Sequence, residues 1–372
     1  MRLGWKNIVN DRVRFVIATV GIAFAAFLMV FQGSLLVGFL HAASRLIDAT
    51  DGDIWISARG VVCFDFSATL PRRFIDIAKG IEGVESASRI ATGYAEYRTP
   101  SGKHQVIALV GSDAGVGRQF PRATLEPNGS VLAPEAVVID SSNVGVLDAS
   151  SLPQEVEINR RRATVLRTVS GFGSFLGCPY VFTSYQDAAR YLRLDPEDAM
   201  YILLKVRPGY SPEAVRQAVA LRLPDVDVWT RADFARRSQL YWILQTGAGG
   251  GILIAAVLGF LVGLVVVSQT IYATTMENIE EFATLKALGA NRWFIMRVVL
   301  TQALFCGLIG CGIGLAATGP FVSAIRNSIP WVFTPWWLVA LTIPPGLLMC
   351  GLASVASIRT ALRVEPARVF RV

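Results

Sequence analysis

The uncharged run over residues 15–40 constrains the fold more than any other feature of this sequence. It reads FVIATVGIAFAAFLMVFQGSLLVGFL and contains no Asp, Glu, Lys or Arg. A bilayer core of about 30 Å accommodates roughly 20 such residues as an α-helix. Because lipid offers no hydrogen-bond partners to a bare backbone, a spanning segment of this length must be helical. We therefore predict a transmembrane helix here.

Three further apolar runs have the same character, at residues 241–272, 298–324 and 336–358. The whole chain is shifted in the same direction, with 53% hydrophobic residues, 17% charged residues and a mean hydropathy of +0.47. These values are typical of a membrane protein rather than of a soluble domain. The predicted fold class is an α-helical membrane protein with four transmembrane helices (1+3) and a large α+β extracytoplasmic domain inserted between the first and the second.

Basic residues flank the first and the last apolar run, which by the positive-inside rule predicts that both termini are cytoplasmic. A cleaved signal peptide is the alternative for the first run, but its length exceeds that of a signal sequence. The predicted organisation is a cytoplasmic N-terminal segment (1–14), the first span (15–40), the extracytoplasmic domain (41–240) with a mostly β insert around 113–180, a stalk and second span (241–272), a cytoplasmic loop (273–294), the third span (295–325), an extracytoplasmic loop (326–335), the fourth span (336–358) and a cytoplasmic tail (359–372).

The domain between the first two spans shows alternating helix and strand patterns. A helix over 71–80 and strands over 84–98 and 104–111 are predicted around the turn at 99–103. A second unit follows, with a helix from Ser184 to Leu192, a strand over 201–206, a helix starting at Ser211 and a strand over 226–229. From Arg231 a helical pattern continues without a breaker to Gly247. There a glycine-rich stretch permits either close helix packing, which we favour, or a hinge.

Residue patterns for catalysis or metal binding are missing from the sequence. It has no G-x-x-x-x-G-K-[ST] loop, two histidines, no C-x-x-C and no H-E-x-x-H. We therefore expect no catalytic residues, no metal, no bound cofactor and no ATPase site of its own. Cys63 and Cys178 both fall in the extracytoplasmic domain, where they form either a disulfide or two unpaired thiols. Cys306, Cys311 and Cys350 fall in predicted spans and are expected to be small apolar fillers.

The loop between the second and third spans carries a short amphipathic pattern. Ile279, Phe282 and Ala283 recur at helical spacing, and Gly289 is placed to end the helix. The pattern alone fits both a docking element and an interfacial helix resting on lipid headgroups.

The stretch EEFATLKALG at residues 280–289 resembles the coupling loop of MacB/FtsX-type ABC transporter permeases, which has the pattern E-[IFY]-x-x-L-[KR]-A-[LIM]-G. The order of one span, a large domain, three spans and a basic tail with VEPARV at 364–369 is also similar to this class. Within it, the chain looks closest to the DevC-like permeases, through DGDIWIS at 51–57, GVES at 83–86 and YW at 241–242.

This resemblance implies a permease subunit of a bacterial inner membrane that pairs with a second copy and binds a separate ATPase, which carries ATP and Mg. Phe282, Leu285 and Leu288 would dock on the ATPase, and Lys286 would offer charge to it. The implied ATPase-coupling helix comprises Glu280, Glu281, Phe282, Leu285, Lys286, Leu288 and Gly289.

Export is the leading implied function, in a tripartite system with a membrane-fusion adaptor protein and an outer-membrane channel. The alternatives are FtsX-like transmembrane signalling to a cell-wall hydrolase and lipoprotein release. Membrane lipid is an expected partner and nucleic acid is not. Gly259 with Gly263, and Gly310 with Gly314, form G-x-x-x-G spacings that are expected either at a dimer contact or in packing within one protomer.

Overall fold

The computed structural model describes residues 12–113, 133–174, 176–195, 197–277, 279–326 and 328–363. Within them, four helices are long and apolar enough to cross a membrane: Thr19–Ala49, Ala248–Glu277, Arg292–Ile325 and Trp336–Arg359. A large domain of strands and helices lies between the first and the second. The predicted fold class is confirmed.

The chain divides into two compact units. We call one the membrane unit, which contains the described residues of 12–38, 249–326 and 332–363. The other is the interspan domain, which contains the described residues of 39–248 and 328–331. The helices are α1 (Arg12–Ala49), α2 (Arg73–Lys79), α3 (Tyr185–Leu192), α4 (Pro212–Arg222), α5 (Arg231–Leu244), α6 (Ala248–Glu277), α7 (Ile279–Ala287), α8 (Arg292–Ile325) and α9 (Trp336–Arg363).

Eleven strands are described, all in the interspan domain. They are β1 (Ile54–Ala58), β2 (Leu70–Pro71), β3 (Val84–Arg98), β4 (His104–Ser112), β5 (Ala136–Asp140), β6 (Gln154–Ile158), β7 (Arg161–Val169), β8 (Tyr180–Ser184), β9 (Asp198–Ala199), β10 (Tyr201–Val206) and β11 (Val226–Thr230).

Four antiparallel strands in the order β11-β1-β10-β3 form one part of the domain. Helix α2 joins β1 to β3 and helix α4 joins β10 to β11, which is a split βαβ arrangement. Side chains alternate across this sheet because successive residues of a strand point to opposite faces. Ile54 and Ile56 pack with α2 and α4, whereas Trp55 packs with Tyr201 and Phe234 on the opposite face.

Six strands form the other part of the domain. They follow the order β3-β4-β8-β5-β7-β6, and β6 pairs back onto β3 through Tyr97 and Ile158, so the strands form a closed ring. Strand β3 is long enough, at 15 residues, to belong to both parts. The predicted β insert is therefore not a separate subdomain, because β5, β6 and β7 complete this ring. Residues 114–132 of the predicted insert lie outside the described part of the chain.

Several local predictions are confirmed. Strands β3 and β4 form a hairpin around the turn at 99–103, where Gly102 has a φ of +83°. Ser184 caps helix α3, since its Oγ accepts a hydrogen bond from the Asp187 amide at 3.1 Å.

The predicted continuous stalk is interrupted. Helix α5 ends at Leu244 and α6 begins at Ala248, with Gly247 between them at a φ of +73°. A side chain added at Gly250 or Gly251 would meet nothing within 4 Å, so these two glycines do not pack against another helix of the same chain. A residue with positive φ cannot continue an α-helix, which explains the break.

Candidate functional site

Helix α7 and the residues after it form the candidate site, and their ending is well defined. The Ala290 amide donates to the Leu285 carbonyl at 3.0 Å, and the Gly289 amide donates to the Lys286 carbonyl at 3.1 Å. Gly289 has a φ of +87°. This pair of bonds with a left-handed glycine is a Schellman motif. The predicted role of Gly289 in ending the helix is confirmed.

One face of α7 lies in the core of the membrane unit. Phe282, which is 5% exposed, and Ala283 belong to the buried cluster that also contains Ile271 of α6 and Ile295 of α8. Leu285 packs against the same cluster. The ring of Phe282 therefore does not lie at the surface, in contrast to its expected docking role.

The opposite face of α7 is exposed. Glu280 and Thr284 lie one helical turn apart on it, and Leu288 follows one turn later with 80% of its side chain exposed. The Leu288 amide still donates to the Thr284 carbonyl at 3.0 Å, which fixes its position beyond the last helical residue. Lys286 is half-buried, and the side chain of Glu281 lies outside the described part of the structure.

An exposed aromatic side chain that sequence reasoning missed follows the same loop. Trp293, at the start of α8, is 64% exposed. Its position at the end of a spanning helix also suits a membrane interface, where tryptophan is enriched. The sequence signal for Trp293 is an aromatic residue shortly after the glycine that ends a short helix.

The glycine pairs of the spans pack within one chain. A Cβ added at Gly310 would lie 2.7 Å from the Ile22 side chain, and one at Gly314 would collide with the backbone carbonyl of Ala23. Both glycines of α8 therefore let α1 approach closely.

Helix α6 uses its glycines in the same way, although less uniformly. A Cβ at Gly263 would lie 2.5 Å from Ala25 of α1, whereas one at Gly259 would lie 3.8 Å from Leu28. The sequence left open whether these glycines serve a dimer contact or packing within one protomer, and the contacts agree with packing within one protomer. The glycine-bearing faces of α6 and α8 are covered by α1 and are not free for a dimer contact.

The two cysteines of the interspan domain are both free thiols. Cys63 is buried and Cys178 is half-buried. Burial raises the pKa of Cys63 to about 11, so this thiol stays protonated near neutral pH. The possible disulfide between them is not formed.

A hydrogen bond that the sequence did not predict joins helix α5 to the loop after β1. The Trp242 Nε1–H donates to the Asp65 carboxylate at 3.0 Å, and the Phe66 ring packs against both Tyr241 and Trp242. Burial raises the pKa of Asp65 to about 6. The part of the chain that the structure describes holds no group of three or more His, Cys, Asp or Glu residues suited to a metal ion.

Comparison with known protein families accounts for both units. Residues 15–221 match the MacB-like periplasmic core domain, and residues 252–366 match the FtsX-like permease C-terminal domain. The first match covers more than half of the chain. The chain belongs to the MacB/FtsX-type ABC transporter permeases. Such a permease works with an ATPase partner.

Curated relatives of this permease include uncharacterised ABC transporter permeases of Mycobacterium tuberculosis. One from strain H37Rv is 23% identical over 363 residues, covering 96% of this chain and 95% of the relative. Another from that strain is 23% identical over 336 residues, covering 90% and 88% of the two chains.

Two solved structures are similar to the interspan domain. The periplasmic region of MacB from Actinobacillus actinomycetemcomitans is 13% identical, with a TM-score of 0.39, covering 50% of this chain and 92% of that one. The extracellular domain of the noncanonic ABC-type transporter YknZ from Gram-positive bacteria is 12% identical, with a TM-score of 0.37, covering 48% and 99%.

Proposed function

We propose that α7 docks on a separate ATPase and transmits its nucleotide-driven movement into the membrane unit. The observation that carries this proposal is the division of α7 into two faces. Phe282 and Ala283 anchor the helix among α6 and α8, while Glu280, Thr284 and Leu288 stand exposed on the other side. A load applied to the exposed face therefore acts directly on the packed core, because a close-packed interior transmits displacement.

The coupling role expected for Phe282 is revised in this proposal. Its ring fixes α7 to the bundle, and Leu288 with Trp293 provides the apolar contact to the ATPase. An apolar anchor among polar neighbours is a common arrangement at protein interfaces. Glu280 and Lys286 would add polar contacts.

The movement has a defined covalent route. Helix α6 leads back from α7 to residues 245–247, beyond which α5 packs in the core of the interspan domain through Phe234 and Ala235. We propose that this route drives the interspan domain on the far side of a bacterial inner membrane, with both termini cytoplasmic and a second copy as partner. Export with an adaptor protein and an outer-membrane channel is the use we favour. The large two-part interspan domain supports this choice over FtsX-like signalling.

A site-specific cross-link tests the docking step. A photo-reactive residue in place of Leu288 should cross-link this permease to a polypeptide that carries a G-x-x-x-x-G-K-[ST] loop, and Leu288→Asp should abolish ATP hydrolysis stimulated by the permease. Leu221, which is 85% exposed in the interspan domain, provides the matched control position. Cross-linking of an ATPase from position 221 and not from position 288 would refute the proposal.

The side of the membrane is tested separately. In intact cells that produce the Cys178→Ser protein, an impermeant maleimide should label Leu221→Cys but not Leu288→Cys, and permeabilised cells should show labelling at both. Labelling of position 288 from outside would place α7 away from any cytoplasmic ATPase.

A further inference from the structure

A cavity of about 560 Å³ lies beside helix α5 in the interspan domain. Its walls come from α4, β11, α5 and the loop after β1, with Trp229, Leu240 and Leu244 among the apolar lining residues. Leu244 is 73% exposed, so its side chain is accessible to a ligand at the cavity. The volume falls within the range of about 300–1,000 Å³ that holds small ligands.

The lining also carries positive charge, from Arg216, Arg236 and Arg237. Arg216 is already neutralised, since its guanidinium donates to both carboxylate oxygens of Glu213, at 3.0 and 3.1 Å from Nε. The other lining acid, Asp233, accepts a hydrogen bond from Thr230 at 2.6 Å and lies in the first turn of α5. Both acids therefore have partners of their own.

Asp233 nonetheless keeps its negative charge, so the three arginines and two acids give the lining one net positive charge. The guanidinium groups outside the Arg216–Glu213 pair are those of Arg236 and Arg237. Arg237 lies with its Cζ 4.7 Å from the centroid of the Trp229 ring and donates through Nε to the Val61 carbonyl at 3.3 Å. These contacts fix its position. Arg236 is exposed, and it makes no ion pair among the described residues. Arginine presents a fork of donors that suits carboxylate and phosphate groups.

The cavity also has a defined place along the chain. Its lining continues to Gln245, and Ala248 begins the second spanning helix three residues later. Three peptide units of fully extended chain span at most about 11 Å, so one end of the cavity lies within that reach of a membrane-spanning segment.

We infer that this cavity binds an anionic amphiphile, with its phosphate or carboxylate head on Arg236 and Arg237 and its aliphatic chain against Trp229, Leu240 and Leu244. The inference goes beyond ATPase docking and does not depend on it. A leaflet lipid and a soluble amphiphile present the same chemistry to this cavity.

Binding is tested on the full chain in phosphatidylcholine nanodiscs with a bromine-tagged octyl phosphate, whose bromine quenches nearby tryptophan fluorescence. Quenching should saturate, and it should be lost in large part in Trp229→Phe. Loss of one charge-assisted contact predicts binding about tenfold weaker in Arg236→Glu. Leu244→Gln should weaken it as well, through the loss of apolar contact.

The chain offers a matched control for each of these two changes. Arg222 and Leu221 are exposed on α4 and do not line the cavity, so Arg222→Glu and Leu221→Gln should bind the probe as the wild type does. Inorganic phosphate should not compete, because it lacks the chain. An octyl trimethylammonium probe should not bind saturably.

Nanodiscs that also contain phosphatidylglycerol distinguish a leaflet lipid from a soluble amphiphile as the natural ligand. Weaker probe binding in those discs would assign the cavity to a leaflet lipid, and unchanged binding would assign it to a soluble amphiphile; both support an anionic amphiphile site. Unsaturable quenching, equal weakening by Arg236→Glu and Arg222→Glu, or saturable binding of the cationic probe would overturn the inference. Leu288→Asp should bind normally, so failure of ATPase docking and failure of this site are separable.

Discussion

The indole nitrogen of Trp242 donates a hydrogen bond to the Asp65 carboxylate at 3.0 Å, which ties the loop after β1 to the last two turns of helix α5. The Phe66 ring centroid lies 5.8 Å from that of Tyr241 and 6.2 Å from that of Trp242. One polar bond and a group of aromatic contacts therefore hold this loop against the helix that precedes the second span. We call residues 61–66 the clasp loop.

The clasp loop should respond to pH through Asp65. Burial raises the pKa of this carboxyl to about 6 from an ordinary value of 3.8. A carboxyl whose pKa is raised by folding binds its proton more tightly in the folded state, so it favours folding most below pH 3.8 and loses that contribution as pH rises through 6. Protection of the clasp-loop amides in hydrogen exchange, after correction for intrinsic rates, should fall over this window.

Asp65→Asn removes the charge and keeps an acceptor oxygen for Trp242. It should abolish the pH dependence and stabilise the clasp near neutral pH by about 1–2 kcal/mol. Asp225→Asn is the control, since Asp225 is exposed on the loop between α4 and β11. A pH dependence that survives in Asp65→Asn would show that another group titrates.

Trp242→Phe should weaken the clasp by another route. The ring stays apolar, but the carboxylate loses the side-chain donor that offsets its burial, and an unsatisfied buried acceptor costs about 1–3 kcal/mol. A double-mutant cycle with Asp65→Leu, which removes the acceptor oxygens, should give a coupling free energy of about 1 kcal/mol between the two side chains. Additive effects in the cycle would mean that the hydrogen bond contributes nothing, leaving only the aromatic contacts.

Local signals predicted the parts of this fold that depend on neighbours in the sequence. The turn at 99–103 predicted the β3–β4 hairpin, and Ser184 predicted the start of α3. The pairing of Tyr97 with Ile158, which closes the strand ring, joins residues about 60 positions apart, and no local pattern specifies such a pairing.

The candidate site shows the same contrast between features that the local sequence predicts and features that depend on the tertiary structure. Helical spacing placed Phe282 on one face of α7, and glycine at 289 marked its end. Periodicity identifies an apolar face but not what covers it, so the burial of Phe282 against α6 and α8 required the tertiary structure. Asp65 gave no signal, because a lone aspartate between two phenylalanines is unremarkable until Trp242 packs beside it.

Gly289→Ala tests the Schellman ending of α7. A Cβ at this position meets nothing within 4 Å, so the cost is purely conformational, about 1 kcal/mol for a left-handed residue. We expect α7 to fray at its end and permease-stimulated ATP hydrolysis to fall, with Gly289→Asn affected less. Gly102→Ala carries the same strain at the β3–β4 turn, where space is also open, and should leave hydrolysis unchanged. Equal losses in both variants would point to general destabilisation.

Gly314→Ala tests the packing of α8 on α1 inside one protomer. The added methyl would collide with the Ala23 carbonyl and lie 3.0 Å from the Phe27 amide nitrogen, and backbone cannot rotate away as a side chain can. Overpacking of this kind costs about 1–3 kcal/mol, so the detergent-solubilised protein should unfold at a clearly lower temperature. Gly312 lies two residues away on the same helix with nothing within 4 Å, and Gly312→Ala should be neutral or slightly stabilising because alanine favours helix. If instead the two variants unfold alike while Gly314→Ala alone changes the oligomeric state, the glycine acts at a contact between copies and the packing against α1 is not its role.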